Sequence, residues 1–241
     1  MQSNEFFEAF LKRFLIKINK ISFSLLLLDM KSFLLYAVLI TLALMGFVTQ
    51  STTKPVRLFD GKTFRGWEGD TLHTWHIENG TIIGGSAEKM VPHNDFLCTT
   101  RSYANFILKL KVKLTGDKGF VNSGIQFRSK RLTDPAYEMI GYQADWGEGF
   151  WAGLYDESRR NKTLIKPDSV QILQWIKVND WNDYVVHADK RRIRLYINGK
   201  QTVDYTEPDT TIPQSGLIGF QIHGGGVAQV AFKDVFIEEL P

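Results

Sequence analysis

The chain has 241 residues, 44% of them hydrophobic, and a formal net charge of +3 at pH 7. Five of the 29 basic and three of the 26 acidic residues lie within the first 50 positions, so the remaining 24 and 23 nearly cancel. A near-neutral body without a basic stripe excludes the electrostatic footprint of a nucleic-acid-binding protein. The only cysteine, Cys98, excludes an intramolecular disulfide and follows Phe96 and Leu97. That apolar setting favours a buried hydrophobic role over a nucleophilic one.

The N-terminal part is dominated by the uncharged run Ser32–Thr53. Its apolar centre, Phe33–Val48, is shorter than the roughly 20 residues of a membrane span, and Met30-Lys31 supplies a start and a positive charge. We therefore predict a signal peptide over residues 30–50, with residues 1–29 as an upstream over-extension of the reading frame or a long n-region. An uncleaved N-terminal anchor is the alternative. Export predicts a periplasmic or secreted product without a stable membrane span after cleavage.

Residues 54–241 fit one all-β domain with a sizeable core. Apolar residues alternate with lysines from Phe106 to Leu114, and Ile193–Ile197 alternates in the same way before the hairpin signal Asn198-Gly199. The C-terminal run Val227–Leu240 is expected to pair with an early strand. Short strands separated by turn residues are typical of a β-sandwich or jelly roll. The residues expected to be buried on the central strands are Leu108, Leu110, Val112, Leu195 and Ile197.

The segment from Tyr142 to Asn161 mixes acids, arginines, amides and aromatics between glycines. Trp151 and Tyr155 offer flat faces for the C–H side of a sugar ring, while amides and charged groups can bind its hydroxyls. This mixture predicts carbohydrate binding. The alternative is that Trp146, Trp151 and Tyr155 fill the core and the charges are solvated. The stretch Ala144–Asp168 is too long and polar for an ordinary connection, which predicts a long functional loop.

Two further groups of polar residues fall at strand positions. The period of two along a strand predicts that Asn122, Gly124, Gln126 and Arg128 share one face. It likewise places Gln221 and His223 together. The two-carboxylate strand Glu-x-Asp-x-x-Glu of many concanavalin-like glucanases is missing from the sequence, as are the P-loop, G-x-S-x-G and H-E-x-x-H motifs. The spacing His73-x-x-His76 is weak evidence for a metal site.

Seven short motifs along the chain form a combined pattern: Asn-Ser-Gly-Ile-x-x-Arg at 122–128, Gly-Tyr-Gln-Ala-Asp at 141–145, Gly-Leu-Tyr-Asp-Glu-Ser-Arg-Arg at 153–160, Trp181-Asn182, Asn198-Gly199, Gly-Leu-Ile-Gly-Phe-Gln-x-His at 216–223 and Phe-Lys-Asp-Val at 232–235. Together these motifs resemble the 3-keto-disaccharide hydrolase domain family, over essentially all of Val56–Leu240. The resemblance implies a concanavalin A-like jelly roll in an exported bacterial protein concerned with glycan use. It also implies cleavage of glycosides already oxidised to a ketone at C3.

A C3 ketone acidifies the C2 proton, so a base can remove it and the enolate can expel the C1 substituent by β-elimination. Such a site needs a base, a group that stabilises the enolate and a platform for the sugar. His223 or Asp145 could be the base, and Arg128, Arg159 or a bound divalent cation could stabilise the enolate. Asp145, Asp156, Glu157 and His223 could also bind a divalent metal ion, but no spacing demonstrates a metal site. The residues expected to bind the substrate are Asn122, Gln143, Trp151, Tyr155, Asp156, Glu157, Arg159 and Gln221.

Two other classes of protein remain open at this point. A non-catalytic glycan-binding module uses the same aromatic and amide groups without a base, and a jelly roll supports both functions. A structural or surface-interaction domain would use the segment as a protein contact. Sugar binding without turnover would indicate the module, and failure to bind any glycan or keto-glycoside would indicate the interaction domain.

Overall fold

The computed structural model describes residues 12–13, 15–17 and 54–241. The chain divides into two compact units, Met1–Ser51 and Thr52–Pro241. In the first unit, residues 12–13 and 15–17 are helical and exposed. The predicted signal peptide over residues 30–50 lies outside the described residues. Within the described ranges, no helix is both long and apolar enough to cross a membrane.

The second unit is a sandwich of two antiparallel sheets, which confirms the all-β prediction. The finer assignment to a concanavalin A-like jelly roll stays a prediction. The eight-stranded sheet has the order β13 (Lys200–Thr206), β12 (Arg192–Ile197), β11 (Asn182–Asp189), β6 (Phe106–Gly119), β15 (Gly226–Glu239), β4 (Thr81–Gly85) and β3 (Trp75–Glu78), with β1 (Val56–Arg57) also paired to β15. The seven-stranded sheet has the order β10 (Lys162–Ile165), β9 (Leu154–Glu157), β8 (Met139–Gly147), β7 (Asn122–Arg131), β14 (Leu217–Ile222), β5 (Asp95–Thr99) and β2 (Trp67–Glu68).

The alternating runs form the central strands as predicted. Asn198 and Gly199 connect β12 to β13 with φ angles of 48° and 77°, as a type I′ turn requires. The C-terminal strand β15 pairs with β1 and β4, so the predicted closure with early strands is also confirmed. All five residues predicted to be buried on the central strands are at most 4% exposed: Leu108, Leu110, Val112, Leu195 and Ile197.

The core lies between the two sheets. Phe220 of β14 stacks on Phe232 of β15 with ring centroids 4.1 Å apart, and Phe106 of β6 meets Phe127 of β7 edge to face at 6.4 Å. Cys98 is fully buried, as its apolar neighbours predicted. Because side chains alternate along a strand, the residue before Phe127 on β7 and those next to Phe220 on β14 point to the outer face of the seven-stranded sheet.

The expectation of a long loop over Ala144–Asp168 is wrong, since this stretch contains β9 and β10 as well as the end of β8. The polar composition did not indicate a strand, because β9 buries Asp156 as well as Leu154 on its inner side. Asp156 is tolerated there because it is ion-paired. The helix α1 (Ser169–Trp175) follows, and the Asp168 carboxylate accepts hydrogen bonds at its N-terminus.

Candidate functional site

A pocket of about 150 Å³ opens on the outer face of the seven-stranded sheet. It combines residues from β7, β8 and β9 with residues just before β7 and just after β14. Six of its eight lining residues were singled out in the sequence: Asn122, Gln143, Asp145, Tyr155, Glu157 and His223. The other two are Phe120 and Phe150.

Strand register brings the acidic residues of this pocket together. Gln143 of β8 lies opposite Tyr155 of β9, and Gly141 lies opposite Glu157. Asp145 follows Gln143 by two residues, so all the side chains of this set project from one face. The motifs at 141–145 and 153–160 therefore contribute to the site as paired strands.

Asp145 is the most deeply buried acid of the pocket, with 3% of the residue exposed. Burial raises its pKa to about 7, and the nearby charge of Glu157 adds to that rise. Gln143 opposes this rise, because its Nε2 donates a hydrogen bond to Asp145 Oδ1 at 2.8 Å. The carboxyl group is therefore poised to gain or lose a proton near neutral pH.

Glu157 is the second titratable acid of the pocket. Burial raises its pKa to about 7, the charge of Glu138 contributes to the rise, and Gln221 opposes it. Gln221 is fully buried, and its carboxamide lies close enough to Glu157 to lower that pKa, although neither carboxamide atom reaches a partner with good hydrogen-bond geometry within the described residues. A buried carboxamide that is so weakly paired can turn to a polar ligand as donor and acceptor.

His223 presents one defined ring nitrogen for proton transfer. Its Nδ1 lies 2.7 Å from the carbonyl oxygen of Gly224, and because a carbonyl only accepts, Nδ1 must donate there. In the neutral ring this leaves Nε2 as the nitrogen with a lone pair. The ring packs edge to face against Phe120 at 4.5 Å, and the backbone of His223 donates to Asn122 at 3.1 Å.

Arg128 lies away from this pocket, so the prediction that it shares a face with Asn122 and Gln126 is wrong. Its backbone has a φ of 49°, and the β7–β8 register shifts between Phe127 and Lys130. That irregularity breaks the period of two. Arg128 is 3% exposed. Its guanidinium donates hydrogen bonds to the backbone carbonyls of Ala104 and Lys190 and to the side chains of Gln214 and Asn105.

Asp156 and Arg159 also lie outside the pocket lining, although both were expected to bind the substrate. Asp156 alternates with Tyr155 and Glu157 on β9 and therefore points to the opposite side of the sheet. Its carboxylate is bound by Arg159, at 2.7 Å, and by Arg160. Arg159 additionally lies over the ring of Tyr142, 4.5 Å from its centroid. These charges satisfy one another within the chain.

Trp151 lines two neighbouring cavities instead of the pocket, and Trp146 is a core residue with 1% exposure. Within the described residues, the aromatic lining of the pocket consists of Phe120, Phe150 and Tyr155 together with the His223 ring. Phe120 also lines the adjoining cavity of about 500 Å³. No periodic pattern marks Phe120 and Phe150, because both lie in connections between strands.

The pocket has an acidic lining without a cationic neighbour in the part of the chain that the structure describes. Asp145 and Glu157 line it, whereas no lysine or arginine does. No group of three His, Cys, Asp or Glu side chains is arranged to hold a metal ion within residues 12–13, 15–17 and 54–241.

The fold and the pocket define a two-sheet β-sandwich protein with titratable carboxyl groups on one outer sheet face. The family model of the 3-keto-alpha-glucoside-1,2-lyase-like domain matches residues 54–238, and the chain belongs to this family. No curated protein matches the sequence significantly.

Solved structures share the fold at low sequence identity. A candidate glycosyl hydrolase from Parabacteroides distasonis ATCC 8503 aligns with a TM-score of 0.56 and 19% identity, covering 78% of this chain and 94% of that chain. The carbohydrate-binding module CBM66 from Bacillus subtilis aligns with a TM-score of 0.55 and 16% identity, covering 72% and 96%. Both alignments show similarity of fold.

Proposed function

We propose that this chain is an exported carbohydrate-active enzyme that cleaves 3-keto-glycosides by C2 proton abstraction and β-elimination. One observation carries the proposal: the acids Asp145 and Glu157 line one pocket, and burial raises the pKa of each to about 7. A base with a pKa near the working pH is the most effective one for proton transfer. Family membership and the carbohydrate-related names of the neighbouring structures support a sugar as the ligand.

The first step divides two roles between the two acids. Because neighbouring carboxyl groups disfavour double ionisation, one is ionised while the other keeps its proton near neutral pH. Ionised Asp145 takes the C2 proton, and the electrons of the C2–H bond form the C2=C3 bond as the ketone becomes an enolate. Protonated Glu157 donates a hydrogen bond to the enolate oxygen. His223, with Nε2 able to accept a proton, is the other candidate for the base.

The second step releases the aglycone. The enolate electrons re-form the C3 carbonyl, the C1=C2 bond forms, and the bond between C1 and the aglycone oxygen breaks. That oxygen takes up the proton that Asp145 removed from C2, so atoms and charge balance. Addition of water across C1=C2 then completes a net hydrolysis.

The size of the pocket indicates that it holds only part of the substrate. Its volume of about 150 Å³ lies below the roughly 300–1,000 Å³ of typical small-molecule sites. The adjoining cavity of about 500 Å³ shares Phe120 with the pocket and includes Trp151 and Glu148. We assign the oxidised sugar to the pocket and the aglycone to this cavity, where Trp151 offers a stacking surface.

A non-catalytic glycan-binding module is the second candidate. It is favoured by the amide and aromatic groups at the site, since Asn122, Gln143, Gln221 and Tyr155 can bind sugar hydroxyls without any base. In that case Asp145 and Glu157 would bind the sugar without transferring a proton to or from it.

Substrate comparison tests these two candidates. The purified protein is incubated with 4-nitrophenyl 3-keto-glucosides of both anomers and with the unoxidised glucosides, in parallel buffers containing EDTA or a divalent cation. We expect release of nitrophenol from a 3-keto substrate alone, because the C2 proton is not acidic without the ketone. Equal release from oxidised and unoxidised substrates would exclude the mechanism. Tight binding without turnover of either would identify the binding module.

A further inference from the structure

A chain of buried hydrogen bonds runs under the pocket and ends on Asp145. Ser129 Oγ donates to Gln126 Oε1 at 2.8 Å, Gln126 Nε2 donates to Gln143 Oε1 at 3.1 Å, and Gln143 Nε2 donates to Asp145 Oδ1 at 2.8 Å. Each of these four residues is at most 3% exposed. Only Gln143 and Asp145 line the pocket.

The chemistry of Asp145 determines which group donates and which accepts in each of these hydrogen bonds. An ionised carboxylate only accepts hydrogen bonds, so Gln143 must present its NH₂ group. The Gln143 carbonyl oxygen then faces Gln126 and needs a donor, which the Gln126 NH₂ group provides. The Gln126 carbonyl oxygen in turn lies 2.8 Å from the Ser129 hydroxyl, whose single proton can also go to the backbone oxygens of Phe127 at 2.9 Å and Tyr142 at 3.4 Å. Gln126 Oε1 is the nearest of the three acceptors, and the chain of hydrogen bonds uses this bond. Hydrogen bonds aligned head to tail polarise one another in a low-dielectric interior.

Two glycines leave the space that these hydrogen-bonded side chains occupy. A Cβ atom at Gly124 would stand 2.6 Å from Cδ of Gln143, and one at Gly141 would stand 2.2 Å from Oγ of Ser129. Real Cβ atoms essentially never approach that closely. Gln143 and Ser129 are therefore packed directly against glycine backbone, which limits the positions that each can take.

We propose that Gln126 and Ser129 are positioning residues that orient Gln143 and thereby hold Asp145 in one orientation in its ionised form. The inference deepens the proposed function, because it concerns the base assigned there. Neither residue lines the pocket, so neither contacts a substrate bound in it.

The hydrogen-bonded residues Ser129, Gln126 and Gln143, called the relay below, affect the ionisation of Asp145 because of the other groups around it. Burial raises the pKa of Asp145, and the charge of Glu157 on β9 adds to that rise. Tyr184 of β11 donates its hydroxyl only to the backbone oxygen of Asp145, at 3.2 Å, and the rings of Tyr155 and His223 line the same pocket. Since no cation lines the described pocket, the hydrogen bond from Gln143 is the main favourable interaction of the ionised form.

The test is a direct titration of Asp145 in the full protein without substrate. Carboxyl signals of ¹³C-labelled aspartate are followed by NMR against pH, and Asp145→Asn identifies the relevant signal. We expect Gln143→Met to raise the pKa of Asp145 by on the order of one unit, because the carboxylate loses its donor. Gln126→Met and Ser129→Ala should raise it by successively smaller, measurable amounts.

Ser123→Ala is the matched control. Ser123 is a fully buried serine of the same strand whose Oγ donates to the Gln221 backbone at 2.6 Å, outside the relay. We expect its Asp145 pKa to equal that of the wild type, and Ser129→Thr, which keeps the hydroxyl, to stay closer to the wild type than Ser129→Ala. If Gln126→Met does not fold, Ser129→Ala still deletes only one oxygen atom.

An Asp145 pKa in Ser129→Ala that equals the value in Ser123→Ala would overturn the inference. The titration needs no substrate, so a failure of 3-keto-glycoside turnover would reject the proposed function without touching this result. If turnover is observed, the acid limb of the pH profile of kcat/KM should move upward in Ser129→Ala by the same amount as the NMR pKa. An unmoved limb in an active enzyme would likewise overturn the relay alone.

Discussion

Two buried acidic clusters lie on opposite sides of β9 and differ in whether arginines bind their carboxylates. On the inner side, Asp156 of β9 and Glu207, which follows β13, are bound by Arg159 and Arg160. On the outer side, no lysine or arginine of the described residues lines the pocket that holds Asp145 and Glu157. Both sets of carboxyl groups are removed from water, so burial alone does not distinguish them.

The arginines decide the ionisation state. Burial raises the pKa of Glu207, but hydrogen bonds from Arg160 and Tyr142 outweigh it and lower the value to about 2. Burial of Asp145 and Glu157, opposed only by amide and backbone hydrogen bonds, raises each pKa to about 7. Glu207 is therefore a fixed structural charge, whereas Asp145 and Glu157 can exchange protons near neutral pH.

Removing the pocket acid should have the largest effect on activity. Asp145→Asn keeps the shape of the side chain but abolishes its basicity, so we expect kcat/KM for a 3-keto-glycoside to fall roughly 10²–10⁴-fold. Asp183→Asn is the control, since that carboxylate is exposed and paired with Lys111 on the other sheet. If Asp145→Asn keeps activity close to that of the wild type, the base is His223 instead. His223→Gln should then lose the activity.

Breaking the inner cluster should instead reduce stability. Arg160→Met leaves the buried carboxylates of Asp156 and Glu207 with fewer partners, and we expect the free energy of unfolding to fall by about 3–5 kcal/mol. Arg192→Met, which breaks an exposed pair with Asp204, should cost at most about 1 kcal/mol. Urea denaturation of both variants measures the difference. Equal losses would contradict the contrast between structural and titratable acids.

The two clusters should also respond to pH in opposite directions. The folded-state pKa of Asp145 is raised, so between about pH 4 and 7 the folded protein binds more protons than the unfolded chain and stability falls as pH rises. Asp145→Asn lacks this titration and should gain on the order of 1–3 kcal/mol relative to the wild type between pH 4 and 8. The lowered pKa of Glu207 stabilises the fold above about pH 4.5 and loses its effect as pH falls toward 2. Parallel stability curves for Asp145→Asn and the wild type would refute the raised pKa.

The smallest effect is expected at the rim of the titratable cluster. The charge of Glu138 raises the pKa of Glu157, so Glu138→Gln should lower that pKa by less than one unit while leaving the fold intact. NMR titration of the glutamate carboxyl signals measures it. A rise of the Glu157 pKa in this variant would show that Glu138 acts by packing and not by charge.

The sequence predicted the fold better than the placement of charges. Alternation identified the central strands, and the Asn198-Gly199 turn set their hairpin. The same period failed at Arg128, because a positive φ and a register shift cannot be read from residue types. Asp156 and Arg159 were misplaced because an ion pair on the inner side of a strand has the same composition as a polar loop.

The relay behind the base was also beyond sequence reasoning. Gln126 was expected on the shared face, and it is there, but its bond to Gln143 depends on strand pairing across β7 and β8. Phe120 and Phe150 contribute to the pocket from connections between strands, where no pattern marks them. Side-chain partners fixed by register and turn geometry require the folded chain.

The fate of the C2 hydrogen tests the central claim most directly. A 3-keto-glycoside carrying ordinary hydrogen at C2 is turned over in D₂O, and the released 3-keto sugar is analysed by NMR, with the same sugar incubated without protein as the control for spontaneous exchange. Elimination followed by addition of water predicts deuterium at C2 of the product, and Asp145→Asn should release little sugar in the same time. A released sugar that retains its original hydrogen at C2 would show direct hydrolysis and contradict the account.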